Sequence, residues 1–482
     1  MKLIKPHSNP TPSITFSRIT QPSPYTSQLA GRLLLRKEIQ LPEDIFQQLL
    51  QHHYLIEKPP ILKTIGGYQC QRCGANKKHQ FGLMPCLNCG KPCLYCRKCV
   101  VMGRVQSCTP LYEWNGPDIS FSIPEKPLSW EGSLTKAQEH ASQKIEQAMY
   151  DKSRLLVHAV CGAGKTEMLF AGISNAFQRG ERIAIATPRS DVVRELAPRL
   201  RQAFSQISIA ALYGGTEDIP DGAQLIITTT HQLFRFSQAF DVMVIDEVDA
   251  FPFHGDPSLP FATKRATKLN GATIYLTATP RSDLKHQVQQ RKLDVVFVPV
   301  RFHGHPLPVP KFQLIYNFSN ILQKNQLPKA IVQWIKQKRT TNRRLLLFVS
   351  EIEMAHMAKE ILIHKFPHET IENVHAADPD REQKILLYRQ QKISILITTT
   401  ILERGVTFPS IDVAVIDAGH EVFDEAALVQ IAGRAGRSAD DPTGEVIFFH
   451  NGLTIAMKSA KKSIHEMNKK GEKIKHDPLP MV

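Results

Sequence analysis

The segment Ala159-Val-Cys-Gly-Ala-Gly-Lys-Thr166 closes the apolar run RLLVHAV and leads into a helix-forming stretch that opens at Glu167, and it restricts the fold more than any other part of the chain. A glycine-rich turn there lets successive backbone N–H groups and a helix N-terminus converge on one anion. Gly162, Ala163 and Gly164 form the cradle, Lys165 reaches the β- and γ-phosphates of a nucleotide, and the Thr166 hydroxyl is placed for Mg²⁺. The stricter pattern has glycine where Ala159 stands, but the core GAGKT is intact. Cys161 then reads as a loop residue and not as a metal ligand. A loop of this kind works at the carboxyl end of a strand feeding a helix, so it commits the surrounding chain to a parallel α/β sheet.

The sequence around it agrees. Short apolar runs separated by helix-length segments place strands at Leu155–Val160, Ile183–Ala186, Ile207–Leu212, Leu225–Thr228, Val242–Ile245 and Ile274–Leu276. The Pro-rich stretch Pro299–Pro310 breaks the pattern, which resumes at Leu314–Tyr316, Leu345–Val349, Ile393–Ile397, Val413–Ile416 and Val446–Phe449. Two similar α/β units joined by a short linker leave a cleft, and ligands of open parallel sheets bind beyond the strand carboxyl ends. The chemistry-bearing residues fall there. Asp246-Glu-Val-Asp249 follows VMVI, with Asp246 suited to hold Mg²⁺ and Glu247 to orient or deprotonate an attacking water. Thr277 and Thr279, in Thr277-Ala-Thr-Pro280, are placed to couple the nucleotide state to interdomain motion. In the second unit, Thr398-Thr-Thr-Ile-Leu-Glu-Arg-Gly-Val406 brings Arg404 to the same coupling role. Gln430-Ile-Ala-Gly-Arg-Ala-Gly-Arg437 reads as helical, and the three-residue spacing puts Arg434 and Arg437 on one face, pointing with Gln430 across the cleft at the phosphates.

Eight of the nine cysteines lie between Cys70 and Cys108. With no apolar leader at the N-terminus and no apolar run of about 20 residues to span a bilayer, the expectation is a cytoplasmic protein in which these thiols hold metal. Cys70-x2-Cys73-Gly and Cys86-x2-Cys89-Gly are two knuckles suited to one four-thiolate zinc. Cys93, Cys96, Cys99 and Cys108 either form a second site or exchange places with ligands of the first. Charge is uneven as well. The chain carries 60 Lys and Arg against 45 Asp and Glu, a net of +15, but 15 against 4 of these precede residue 111. A second basic run, Lys458–Lys475, holds seven Lys and two Glu. A polyanion, nucleic acid or an anionic membrane surface, is the implied partner.

Taken in order, AVCGAGKT, ATPRSDVVREL (186–196), DEVD, TAT, TTTILERGVT and QIAGRAGR resemble the motifs of superfamily 2 helicases and translocases, and Leu134-Thr-Lys-Ala-Gln138 resembles their adenine-reading element, with Gln138 as the reader. Together with the basic segment containing AGRLLL and the cysteine run ending CLYCRKCVVMGRVQSC, the whole chain resembles the late competence ATPase ComFA family. The primosomal helicases are the rival, but their cysteines interrupt the motor's second half, whereas here they lie upstream. The resemblance implies two RecA-like parallel-sheet domains in tandem behind a small zinc-ribbon-like module and a basic N-terminal segment. It implies ATP, Mg²⁺ and Zn²⁺ as cofactors, and single-stranded DNA as partner. A membrane DNA-uptake channel, other late competence proteins, a peripheral place on the cytoplasmic face of the membrane and self-association come with it.

The expected boundaries are a basic accessory segment over 1–65, a zinc module over 66–109, a linker over 110–130, an ATP-binding domain over 131–298, a second motor domain over 311–457 and the Lys-rich tail over 458–482. A strand crossing the two motor units would be gripped through its backbone by Thr187, Arg189, Gly214, Gly215, Thr229, Thr230 with His231, Ser350, Thr399 and Thr400. The zinc module offers a second contact through Arg72, Lys77, Lys78, Lys91, Arg97 and Lys98 with the rings of Tyr68, Phe81 and Tyr95, or else serves as a docking ribbon with solvated lysines.

Overall fold

The computed structural model describes residues 24–476 except Asn325, Asn342 and Val406. The Pro- and Ser-rich start and the end of the Lys-rich tail, at 1–23 and 477–482, lie outside the described residues. The N-terminal part is built from short strands: β1 Leu33–Leu34, β2 Leu55–Lys58, β3 Ile61–Thr64, β4 Gly67–Cys70, β5 Phe81–Pro85, β6 Pro92–Cys96 and β7 Leu111–Trp114. β7 is the middle strand of an antiparallel sheet with β1 and β2, so the expected linker does not open at 110; its first residues close the N-terminal unit. A helix over Glu43–Gln51 buries Phe46 and Leu49 against that sheet. β3–β4 and β5–β6 are hairpins that carry cysteines.

The first motor lobe follows with β8 Arg154–Ala159, β9 Ile183–Thr187, β10 Ile209–Leu212, β11 Leu225–Thr229, β12 Phe240–Asp246, β13 Thr267–Thr277 and β14 Asp294–Val298, all parallel in the order β10-β11-β9-β12-β13-β8-β14. The second lobe repeats the plan with β15 Lys311–Leu314, β16 Arg344–Phe348, β17 Ile371–Val374, β18 Ile395–Thr398, β19 Ile411–Ile416 and β20 Val446–His450, parallel in the order β15-β20-β19-β16-β18-β17. Both faces of each sheet are covered, which is why the inner strands read as unbroken apolar runs. In the first lobe, Leu155, Val157, Ile185 and Val244 pack under the helices Lys136–Tyr150, Phe170–Gln178 and Ser190–Ala203. Their neighbours Leu156, Ala184, Met243 and Ile245 face the other way and share a core with Cys70, Cys73, Phe81, Cys96, Cys99 and Val105.

The cysteine module is therefore fused to the first lobe. Arg72, fully buried, donates through Nη2 to both Glu38 carboxylate oxygens (2.7 and 2.8 Å), through Nη1 to the Met102 carbonyl (3.0 Å) and through Nε to the Phe234 carbonyl (3.4 Å). Arg265, on the helix Ser258–Ala266, donates to the carbonyls of Gln71 (2.9 Å), Phe234 (2.8 Å) and Phe236 (3.1 Å). Gly74 has φ +72°, and a Cβ there would sit 2.5 Å from the Phe261 ring. These contacts correct two of the expected DNA-contacting residues. Arg72 and Phe81 are internal, spent on the junction, while Lys77, Lys78, Lys91 and Arg97 remain exposed and Lys98 pairs with Asp256 at 3.1 Å.

The described part of the Lys-rich tail belongs to a helix, Ile455–His476. It buries Met457, Ala460, Ile464 and Met467 along one side. Asn468 exchanges two hydrogen bonds with Leu307 of the interlobe segment (2.8 and 2.9 Å), and Lys470 Nζ sits 3.7 Å from the centre of the Phe297 ring in β14. The helix straps the second lobe to the first.

Candidate active site

The loop 162–166, the ends of β12 and β13, and the turns after β18 and after the helix Glu425–Ala432 meet in the cleft between the lobes. They enclose a cavity of about 620 Å³ lined by Gln138, Gly162, Ala163, Gly164, Lys165, Thr166, Asp246, Glu247, Gln430, Arg434 and Arg437. Every residue expected to hold or hydrolyse a nucleotide is thus brought to one place. The loop turns into a short 3-10 turn, Glu167–Leu169, before the helix Phe170–Gln178 begins.

Gln138 is the third residue of the helix Lys136–Tyr150, inside a capping box: its Oε1 accepts from Thr135 N (2.8 Å) and Oγ1 (2.9 Å). Its Nε2 donates to the Ala163 carbonyl at 2.8 Å, so the amide braces the phosphate loop. Asp246 accepts from the Glu247 N–H at 2.9 Å. Burial pushes the Asp246 carboxyl up to about 6 against the pull of Lys165, a penalty that a cation held by Asp246 and Thr166 would offset. Glu247 has φ +54°, an uncommon conformation for a side-chain-bearing residue. Its Oε2 is buried, has no hydrogen-bond partner among the described residues and lies 3.8 Å from Arg404 Nη1. A carboxylate oxygen so placed is suited to take a proton from, or orient, a water.

Asp249 organises the coupling residues. It is 1% exposed, and its carboxylate accepts from Thr277 Oγ1 (2.6 Å), Thr279 Oγ1 (2.5 Å) and, across the cleft, Arg404 Nη2 (2.5 Å) and Nη1 (3.3 Å). Desolvation works against this charge, but Arg404 and the two hydroxyls hold its pKa well below the usual carboxylate range. Thr277, Thr279 and Arg404, expected to couple the two lobes, are all ligands of this one carboxylate, whose role the bare string DEVD does not disclose.

The two arginines do not share a helix face. The helix ends at Ala432, and Arg434 and Arg437 come off the following turn, where Gly433 closes the helix and Gly436 has φ +59°. A Cβ on Gly433 would stand 2.5 Å from Cys161 Cβ, so glycine lets this turn lie against the phosphate loop. There Cys161 Sγ donates to Gln430 Oε1 at 3.0 Å, and Arg434 Nε donates to the Glu403 carbonyl at 3.0 Å. Burial, and Arg437 beside it, push Arg434 down to about 9. Sequence reasoning missed Trp130 and Phe302, which also line the cavity; both sit in segments read as linkers.

The expected nucleic-acid contacts all lie at or just beyond strand carboxyl ends: Thr187 as the last residue of β9, Gly214 and Gly215 after β10, Thr229 and Thr230 at the end of β11, Ser350 after β16, and Thr399 and Thr400 after β18. The Thr187 and Thr230 hydroxyls are buried without a partner among the described residues. No atom comes within 4 Å of a Cβ built on Gly214 or Gly215. Arg189 donates to the Ile401 carbonyl and so ties the two lobes on this face. Thr230 opens the 3-10 segment Thr230–Arg235, whose Phe234 carbonyl receives both Arg72 and Arg265.

The cysteines form two groups in which the two sets have exchanged ligands. Cys70 and Cys73 meet Cys96 and Cys99, while Cys86 and Cys89 meet Cys93 and Cys108; within each group all four Sγ atoms lie within 4.8 Å of one another. The expected set Cys70, Cys73, Cys86 and Cys89 is overturned by the β5–β6 hairpin. Its register pairs Phe81 with Cys96 at the base and leaves Cys86 and Cys89 beyond the far end, about 15 Å away at 3.4 Å per residue. Four sulfurs at these separations fit a tetrahedral zinc with Zn–S of about 2.3 Å.

Three family models match the chain: the competence protein ComFA N-terminal domain over 18–113, the res subunit of type III restriction enzymes over 131–282, and the helicase conserved C-terminal domain over 324–439. Competence protein ComFA of Bacillus subtilis (strain 168) is 42% identical over 446 residues, 92% of this chain and 95% of its own. The protein of that name from Streptococcus pneumoniae (strain ATCC BAA-255 / R6) is 41% identical over 420 residues, 87% of this chain and 95% of its own. Among solved structures, S. cerevisiae Dbp5 bound to RNA and ADP BeF3 superposes with TM-score 0.51 at 16% identity over 70% of this chain and 88% of that one. DEAD-box helicase Mss116 bound to ssRNA and UDP-BeF gives 0.52 at 18%, over 68% and 71%. These last two establish the fold: two RecA-like helicase domains. Among the described residues, no helix is long and apolar enough to cross a membrane. The chain is an ATP-dependent, helicase-type enzyme, and it belongs to the competence protein ComFA family.

Proposed function

We propose that this chain is an ATP-driven motor on single-stranded DNA that powers DNA uptake across the cytoplasmic membrane in natural transformation. One observation carries the reading: the nucleotide cavity takes Lys165, Thr166, Asp246 and Glu247 from one lobe and Gln430, Arg434 and Arg437 from the other. A nucleotide held by both walls makes lobe spacing depend on its phosphates. Lys165 and Thr166 bind the phosphates, Asp246 and Thr166 hold Mg²⁺, Glu247 positions the water, and Arg434 and Arg437 stabilise charge as the terminal phosphate leaves. Loss of that phosphate loosens the second wall. Threonine- and glycine-rich strand ends in both lobes then grip DNA alternately through its backbone, which explains why a motor can work without a strongly basic surface.

The relatives named as competence proteins support the uptake role, and with it partners at the membrane: the uptake channel, other late competence proteins and the anionic bilayer face. The two cysteine groups support two structural zinc ions.

Steady-state ATP hydrolysis with and without single-stranded DNA, duplex DNA and RNA tests the motor. The expected result is stimulation by single-stranded DNA that Lys165→Ala abolishes. Hydrolysis indifferent to every nucleic acid, or intact in Lys165→Ala, refutes it. Efficient displacement of a strand from forked duplex replaces translocation with unwinding.

A further inference from the structure

The segment 299–310 joins the lobes, and Arg301 within it carries a charge that no carboxylate neutralises among the described residues. Arg301 is 1% exposed. Its Cγ and Cδ lie 3.8 and 3.9 Å from where a Cβ on Gly162 would stand, so its stem rests on the phosphate loop. The next residue, Phe302, donates its N–H to the Gly162 carbonyl at 2.9 Å. At its other end the guanidinium donates through Nη1 to the Gly436 carbonyl, in the turn that carries Arg434 and Arg437. Nε and Nη2 have no hydrogen-bond partner among the described residues. The titratable groups beside it are the Cys161 thiol and another cation, Arg437, whose Cγ lies 3.7 Å from the same Gly162 Cβ position.

A buried guanidinium with two unspent donors and a cation beside it is unfavourable on every count unless an anion joins it. A purely structural role would not need the charge, since an apolar side chain of similar length fills the same space. The feature that brings an anion here is the phosphate loop itself. Arg301 lies at the Gly162 end of that loop, beside the cavity-lining residues Gly162, Phe302 and Arg437 and against the Gly436 turn, and not at the Gly164 end that Gln138 touches. Burial pushes it down to about 10, with Arg437 adding to the effect and Cys161 opposing it, which agrees with a cation lacking a carboxylate counterion.

We propose that Arg301 is a phosphate-binding residue of the nucleotide site, supplied by the interlobe segment, whose two unpaired N–H groups take the terminal phosphate of ATP beside Arg437. The assignment rests on the reading of the cavity as an ATP site. It makes the linker part of the motor. The terminal phosphate ties the loop of the first lobe, the linker and the Gly436 turn of the second together, and its departure removes the anion they share and loosens that tie.

The test compares full-length wild type, Arg301→Met and Arg301→Lys in equilibrium binding of ADP and of a non-hydrolysable ATP analogue with Mg²⁺, alongside the thermal midpoint without nucleotide. Arg301→Met is expected to weaken the analogue about ten- to a hundredfold, the worth of hydrogen bonds to a charged group. ADP affinity stays within about twofold, and the midpoint without nucleotide is unchanged or higher. Arg301→Lys keeps the charge and recovers part of the analogue's affinity. Equal losses for ADP and the analogue, or unchanged analogue affinity with a lower midpoint, make Arg301 a scaffold residue and overturn the proposal. Wild type that binds neither nucleotide overturns the ATP-site reading itself.

Discussion

The Asp249–Arg404 pair joins the lobes at a point where neither charge reaches water, the two residues being 1% and 2% exposed. Removing one partner strands the other, a penalty of about 3–5 kcal/mol for a buried pair. In a one-domain protein this would appear as unfolding. Here the partners sit on different lobes, so the stranded charge is relieved by opening the cleft to solvent. At about 1.4 kcal/mol per factor of ten, Arg404→Gln or Asp249→Asn shifts the closed-to-open equilibrium by about 10² to 4 × 10³. ATP turnover at saturating single-stranded DNA should fall at least about a hundredfold, and the radius of gyration from small-angle scattering should rise. ADP affinity, set by the first-lobe loop, should stay within about threefold. The double variant is the decisive measurement. With both charges gone, what remains is the weakened acceptor for Thr277 and Thr279, about 1 kcal/mol each, so turnover should settle about thirtyfold below wild type. Independent effects would instead multiply to about 10⁴ or more. Arg404 also lies 3.8 Å from Glu247, but Asp249→Asn leaves that contact alone and separates the bridge from the chemistry. A double variant at the multiplied value, or single variants within about threefold of wild type, would refute an interlobe bridge.

Two further outcomes follow from the geometry. Pairwise cysteine variants read the metal topology: Cys70→Ser with Cys99→Ser should lose about one zinc equivalent and Cys70→Ser with Cys89→Ser about two, by metal analysis, and the opposite pattern would restore the grouping of Cys70 with Cys89. His158 is held neutral, its pKa lowered to about 4 by burial. Between about pH 6.5 and 4 the unfolded chain binds a proton that the folded one refuses, so His158 subtracts stability as pH falls through that window, by up to about 1.4 kcal/mol per unit. Thermal midpoints at pH 7 and pH 5 should therefore differ less in His158→Asn than in wild type.

The parts of the site that were legible in the sequence are those whose partners are local. The loop 162–166 is bonded mostly to itself and to the helix it opens, and the inner strands β8, β9, β11 and β12 are apolar on both faces. Two edge strands were not legible: β14 (Asp-Val-Val-Phe-Val) and β17 (Ile-Glu-Asn-Val) each pair on one side and carry mixed residues, whereas the edge strand β10 (Ile-Ala-Ala-Leu) was read because it is apolar throughout. Arg434 and Arg437 looked helical because periodicity registers i+3 spacing and not the two glycines that end the helix. The cysteine grouping was out of reach for a related reason. A C-x2-C spacing defines one knuckle, but which knuckle it faces depends on the hairpin that separates them. Asp249 has partners 28, 30 and 155 residues away, and its centrality exists only in three dimensions.

The excess of basic residues points to a polyanion less directly than the composition implies. Among the described residues Arg72, Arg182, Arg301, Arg344, Arg404 and Arg434 are buried, against Asp249 and Asp412 among the acids, so part of the +15 never reaches the surface. Arg182 donates to the Ala223 carbonyl (3.0 Å) and the Ala30 carbonyl (3.2 Å), joining the N-terminal segment to the sheet. Arg72 does the same for the first cysteine group, and together with Arg265 it holds the carbonyl of Phe234. Short 3-10 segments have poor internal hydrogen bonding, so Thr230–Arg235 depends on these outside donors for its shape. The first cysteine group orients Arg72, Arg72 and Arg265 fix the segment, and the segment presents Thr230 at the end of β11. Basic residues near the cysteines thus serve the proposed nucleic-acid face chiefly by building it, and the charge left for the proposed contact with a strand is the exposed set around Lys77, Lys78, Lys91 and Arg97.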